Sequence, residues 1–165
     1  GQAISRGERM DYSIQKSVEL GVSEITPLFT RRCEVKLHGP RLEKRLIHWK
    51  NLVISACEQC GLNKLPRINP PVNLNEWTLG LNDTPKYILH PGKQSSPALL
   101  TGKPSQPPES VTILAGPEGG FDDHELQQAE QRGFQHITLG PRVFRTETAA
   151  VVMLSLLQAT WGDLR

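Results

Sequence analysis

The sequence predicts an α/β fold, a mainly parallel sheet flanked by helices. Short apolar runs of strand length alternate along the chain with segments of helical period. Two of those runs, Val111–Ala115 and His136–Leu139, end in glycine-bearing loops that lead directly into helix starts. The last helical segment, 146–161, is apolar around most of its circumference and so needs burial, in the core or at a subunit interface. With 165 residues the chain suffices for one domain with a real core, and it holds no repeat of solenoid length.

The elements follow in order. Arg6–Leu20 reads as a helix, because Met10, Ile14 and Val18 recur at helical spacing and Gly21 is a stop. Glu24–Phe29 reads as a strand. Arg41–Cys60 is the longest predicted helix, with Leu42, Leu46, Trp49, Val53, Cys57 and Cys60 on one stripe and Arg41, Lys44, Arg45 and Lys50 largely off it. Arg67–Asn69 is a short strand before Pro70-Pro71, Leu74–Leu79 a short helix and Lys86–His90 another strand. Pro91–Ser110 is rich in Pro, Ser and Gly without a period, as an exposed loop would be. Val111–Ala115 is a buried strand. Asp122-Asp123-His124-Glu125 forms a capping box for a helix running to about Arg132, which Gly133 stops. His136–Leu139 is the last strand and Thr146–Trp161 the last helix.

Net charge is +2, unevenly spread. Residues 31–50 hold Arg31, Arg32, Lys36, Arg41, Lys44, Arg45 and Lys50 against Glu34 and Glu43. Residues 111–165 hold four arginines against seven acids. The basic stretch suits either a polyanionic partner or a solvated helix face. Cys33, Cys57 and Cys60 form no secreted disulfide pattern, and the lone Cys57–Cys60 pair lacks the companions of a zinc site, so no metal is expected. No apolar run approaches membrane length and no signal peptide opens the chain, which implies a reduced, cytoplasmic setting. The opening Gly1-Gln2-Ala3, without an initiator Met, suggests a fragment of something longer.

The chemistry concentrates in two loops, Gly116-Pro117-Glu118-Gly119-Gly120 and Gly140-Pro141-Arg142-Val143-Phe144-Arg145. In parallel sheets, ligands bind at the carboxyl ends of strands, where both loops sit. The first loop is neither a Walker loop nor a dinucleotide fingerprint, and Pro117 removes a donor that a phosphate cradle would use. Glu118, Asp122 and Asp123 disfavour phosphate, so a phosphate-free or cationic ligand fits better. Two tight turns holding no ligand remain the alternative.

The segments ILAGPEGGF (113–121) and LGPRVFRTETA (139–149) resemble the SPOUT RNA methyltransferases. More narrowly they are similar to the ribosomal RNA small subunit methyltransferase E family, which methylates N3 of a uridine in 16S rRNA. Gln15–Val22 and Ala56–Gly61 resemble two further segments of that family, so four ordered motifs span nearly the whole chain. Leu62 departs from the pattern, where the family often carries Arg.

The resemblance implies a catalytic domain over residues 1–165, with a deep trefoil knot at about 111–162, and lacking the family's N-terminal PUA-like RNA-binding domain of roughly 70 residues. It implies S-adenosylmethionine (SAM) as cofactor, held by Leu114, Gly116, Glu118, Gly119 and Gly120 from the first loop. From the second come Leu139, Gly140, Arg142, Val143, Arg145, Thr146, Thr148 and Ala149. Arg145 is the candidate stabiliser of the developing uridine anion, with Glu147 and Glu58 as candidate bases. Glu147 sits at a helix N-terminus, which favours a cap over a base. Arg31, Arg32, Arg41, Lys44 and Arg45 are candidates for rRNA phosphate contacts, and Gln59 for base reading or helix packing. The expected partners are 16S rRNA or the small ribosomal subunit and a second copy of the chain, paired through the C-terminal helix. Another SPOUT specificity (2′-O-ribose or guanine-N1), a non-catalytic RNA-binding module, and a nucleotide-phosphate binder are the alternatives.

Overall fold

A computed structural model describes residues 1–91 and 107–164. The elements are β1 (Gln2–Ala3), α1 (Glu8–Glu19), β2 (Glu24–Ile25), β3 (Pro27–Phe29), α2 (Gly39–Cys60), β4 (Arg67–Ile68) and β5 (Val72–Asn73), followed by α3 (Leu74–Leu79), β6 (Lys86–Leu89), β7 (Thr112–Ala115), α4 (Asp123–Gln131), β8 (Phe134–Ile137) and α5 (Thr146–Trp161). Most of the predicted loop 91–110 lies outside the described residues.

The main sheet is parallel throughout, in the order β5-β3-β1-β7-β6-β8. Side-chain alternation along its strands builds two faces. Ile88 and Leu114 point to the face covered by α3 and α4, where Leu28, Phe121, Leu126 and Phe134 complete a cluster. Their neighbours Tyr87, Leu89 and Ala115 point the other way, onto Ala150 and Met153 of α5. A third cluster joins Met10, Ile14 and Val18 of α1 to Trp49, Val53 and Cys57 of α2. The α1 stripe read from the sequence is therefore the one buried. On α2 the buried stripe shifts to Trp49, Val53, Ala56 and Cys57, while Leu42, Leu46 and Cys60 are only half-buried.

Two strand expectations need correction, and two further strands were missed. The predicted strand Glu24–Phe29 is two strands: β2 leaves the main sheet to pair with β4, and β3 pairs with β1. The last strand occupies 134–137 rather than 136–139, because the chain turns into it at once after Gly133 and pairing fixes Lys86 opposite Phe134. β1 and β5 were not expected at all, being two-residue strands with no period to read. Yet β1 sits mid-sheet, with Ala3 fully buried.

α4 begins with the expected capping box. The Asp122 carboxylate accepts from the Glu125 N–H at 2.7 Å, and the Glu125 carboxylate accepts from the Asp122 N–H at 3.0 Å. α3 and α5 have the bounds read from the sequence. After β8, at the sheet edge, the chain returns past the ends of β6 and β7 to reach α5, which packs on β7 and α1. That return path positions the site.

Candidate functional site

The first loop leaves the carboxyl end of β7 and the second leaves that of β8, with only β6 between them in the sheet. One residue ties them together. The Thr146 hydroxyl, at the first position of α5, donates to the Gly116 carbonyl and accepts from Gln2 Nε2 at 3.1 Å. Gln2 and Thr146 are both buried, so β1, the first loop and α5 meet at one hydrogen-bonded point.

Beside this point lies a cavity of about 620 Å³, within the range of small-ligand sites. Its walls include Gly116, Glu118, Gly119 and Gly120 of the first loop and Leu139, Arg142, Val143 and Arg145 of the second. Thr146 and Ala149 of α5 and Leu89 and His90 at the end of β6 complete much of it. Val143 is 77% exposed, an unusual placement for a valine unless something covers it.

The glycines have structural reasons. A Cβ at Gly116 would stand 2.9 Å from the Phe121 ring, itself buried beneath the loop. Gly140 adopts φ +86°, a conformation strained for any other residue.

The first loop is pinned from outside by arginines. Arg9 of α1 meets Glu118 at 3.2 Å, and Arg32 Nη1 donates to the Gly119 carbonyl at 3.1 Å. Beside Arg32, the Arg31 N–H donates to Glu125 at 2.8 Å and its guanidinium reaches Asp122 at 3.1 Å. The Glu125 N–H bond, then the charge of Arg31, hold the Asp122 carboxyl below its usual range. Among the described residues no carboxylate pairs with Arg142 or Arg145.

Ten of the thirteen expected cofactor residues line the cavity. Leu114, Gly140 and Thr148 do not. Leu114 is fully buried in the core, and Ala115 takes the lining position one residue on. Gly140 shapes the turn, and Thr148 is half-buried on α5. Of the three catalytic candidates only Arg145 lines the cavity. Glu147 stands in the first turn of α5 with its Oε2 buried and unpartnered. Glu58 and Gln59 are exposed near the end of α2, and neither lines the cavity. Among the basic candidates Arg32 lines it, whereas Arg45 is bound to Gly7 and Asp11 and lies 5.5 Å from the Trp49 ring.

Arg9, Leu89 and His90 were not anticipated. Leu89 and His90 had a signal, because they close a predicted strand whose carboxyl end faces the same edge. Arg9 had none, since its meeting with Glu118 depends on tertiary placement. Among the described residues no group of three or more His, Cys, Asp or Glu comes together to hold a metal, and no helix is long and apolar enough to cross a membrane.

A family model for the RNA methyltransferase domain matches residues 1–158. The chain belongs to this family. Among relatives, the ribosomal RNA small subunit methyltransferase E of Buchnera aphidicola (subspecies Schizaphis graminum) is 42% identical over 99% of this chain and 65% of its own length. That of Buchnera aphidicola (subspecies Acyrthosiphon pisum) is 39% identical, with 64% of its length covered. The chain thus spans just under two thirds of these curated relatives. A methyltransferase from Legionella pneumophila, solved with bound cofactor SAM, superposes with a TM-score of 0.92 at 48% identity, over 99% of this chain and 66% of that one. A ribosomal RNA small subunit methyltransferase E from Neisseria gonorrhoeae, solved bound to S-adenosyl methionine, gives 0.89 at 40% identity over the same shares. The RNA methyltransferase domain therefore has the expected mainly parallel α/β architecture of the SPOUT type.

Proposed function

We propose that this chain is the catalytic domain of a SAM-dependent methyltransferase that modifies N3 of a uridine in 16S rRNA. The observation that carries this reading is the convergence of both loops, tied through Thr146, on one cavity of about 620 Å³. The relatives' names support methylation of small-subunit rRNA, and the two neighbouring structures support SAM as the cofactor.

The residues present suit that cofactor. Leu89, Leu139 and Val143 offer apolar walls, and the glycine loops allow close backbone approach. When bound, the cofactor supplies a methyl group activated on a sulfonium. Arg145 stands where it can stabilise the negative charge that develops as the uridine imide loses its proton. Glu147, half-buried in the first turn of α5, lies at the positive end of the helix, where a carboxylate suits a structural role better than that of a base. The target base must be unpaired or flipped out to present N3. A trefoil knot around the return path to α5, a homodimer through that helix, and a cytoplasmic location belong to the same reading.

The test is methylation of small-subunit rRNA with SAM, followed by nucleoside mass spectrometry. N3-methyluridine is the expected product. A 2′-O-methyl nucleoside or N1-methylguanosine would overturn the specificity. No thermal shift with millimolar SAM would overturn the enzyme assignment in favour of an RNA-binding module, and a response to ATP instead would indicate a nucleotide-phosphate binder.

A further inference from the structure

Four arginines from three parts of the chain surround the mouth of the cavity: Arg9 of α1, Arg32 after β3, and Arg142 and Arg145 of the second loop. Among the described lining residues a single carboxylate, Glu118, is present, and it is paired with Arg9 at 3.2 Å. Arg32 bonds a neutral carbonyl, which leaves its charge uncompensated. SAM does not account for this surplus. Its one carboxylate can pair with a single guanidinium, and its sulfonium and ammonium with none. The arginines call for a different, anionic ligand.

The positive surface continues outward. Arg45 of α2 donates to the Gly7 carbonyl at 2.9 Å, which brings the basic helix against the chain two residues before Arg9. Arg41 and Lys44 are exposed on the same helix.

We infer that this rim seats the phosphodiester backbone of single-stranded RNA flanking the target nucleotide. Arg9 and Arg32 grip from the first-loop side and Arg142 from the second, beside Arg145 at the target base, with Arg41 and Lys44 continuing the track. The inference rests on the methyltransferase reading of the same cavity and moves Arg142 from cofactor to RNA. Planar guanidiniums suit bidentate phosphate contact. Arg32 uses one donor on Gly119, which fixes its direction and leaves the others for a phosphate.

The experiment is binding of a uridine-containing single-stranded oligoribonucleotide across a potassium chloride series, by fluorescence anisotropy. Arg9→Gln, Arg32→Gln and Arg142→Gln are compared with wild type. Each is expected to weaken binding roughly five- to tenfold at low salt and to reduce the salt slope by about 0.7. Arg→Lys at the same positions should restore much of the slope, because the charge returns. Thermal melting without ligand shows that the variants are folded, and Arg41→Gln and Lys44→Gln, on α2 outside the cavity, should weaken RNA binding while leaving the SAM titration at wild type. Unchanged salt slopes in Arg9→Gln, Arg32→Gln and Arg142→Gln overturn the inference and leave the methyltransferase reading intact. Loss of SAM binding in Arg142→Gln, with its melting unchanged, also overturns it, by making that residue a cofactor ligand. A wild-type protein that binds the oligonucleotide but not SAM sinks the methyltransferase reading alone.

Discussion

The hydroxyl of Thr146 donates a hydrogen bond to the carbonyl of Gly116, joining the start of α5 to the first glycine loop. The same oxygen accepts from the buried amide of Gln2. Thr146→Val keeps the shape and removes both bonds, leaving buried polar groups unpartnered at about 1–3 kcal/mol each. We expect a lower melting temperature and a SAM affinity weakened about tenfold, which corresponds to about 1.4 kcal/mol. Thr146→Ser should restore both. Unchanged calorimetric affinity in the valine variant would show that the tie does not shape the cavity.

Gly116 and Gly140 hold the two loops by different means. A methyl group at Gly116 meets the Phe121 ring at 2.9 Å, and the ring is only 3% exposed and cannot step aside. Gly116→Ala should therefore destabilise by about 1–3 kcal/mol through overpacking. Gly140→Ala meets nothing within 4 Å but places a side chain at φ +86°, at about 1–2 kcal/mol. Each kcal/mol should lower the melting temperature by about 2–4 °C in a domain of this size. Phe121→Leu should relieve part of the Gly116→Ala penalty and none of the Gly140→Ala penalty.

The two loops, the capping box and the α5 bounds were legible because each is a local signal, such as a glycine run, an Asp-x-x-Glu spacing or unbroken apolar character. What escaped depends on pairing across the chain. β1 is two residues long, and only its neighbours β3 and β7 make it a strand. The displacement of β8 arises likewise, since both 134–137 and 136–139 alternate acceptably and the register with Lys86 decides. Glu58 looked like a site residue by its motif, but the α2 face that packs on α1 is the one carrying Trp49 and Val53, which leaves Glu58 exposed.

Glu125 anchors the segment carrying Arg31 and Arg32. The residue is 5% exposed, and its carboxylate accepts from the backbone N–H groups of Asp122 and Arg31. Glu125→Ala strips both acceptors and should destabilise by about 2–4 kcal/mol, whereas Glu125→Gln, which keeps one good acceptor, should lose less. The difference is measurable by urea denaturation.

The partner carboxylate sets a pH signature. Bonding to the Glu125 N–H and the charge of Arg31 depress the Asp122 pKa in the folded state. Folding therefore favours the ionised form. Its contribution is complete above the unfolded value of about 3.9 and is lost as pH falls through the lower folded value. Melting curves between about pH 2.5 and 6 should show wild type losing stability below about pH 4 more steeply than Asp122→Asn, which still caps but does not titrate. Parallel curves would contradict the depressed value.

The outer face of α5 bears on the proposed dimer. Thr146, Ala150 and Met153 are buried against the sheet, and Gln158 reaches the Leu20 carbonyl, so α1 covers a second side. Helical geometry puts Val152 and Leu156 on the remaining side. Both are apolar and only partly buried within one chain. A symmetric partner using the same patch would cover them, as isologous pairing requires. Leu156→Lys should then convert the protein to a monomer by sedimentation velocity at micromolar concentration, while leaving the secondary structure of the chain unchanged. Adding Val152→Glu to a second sample and mixing it with Leu156→Lys should restore pairing if the two positions face each other across the interface. A wild type that already sediments as a monomer would remove the dimer from the proposal.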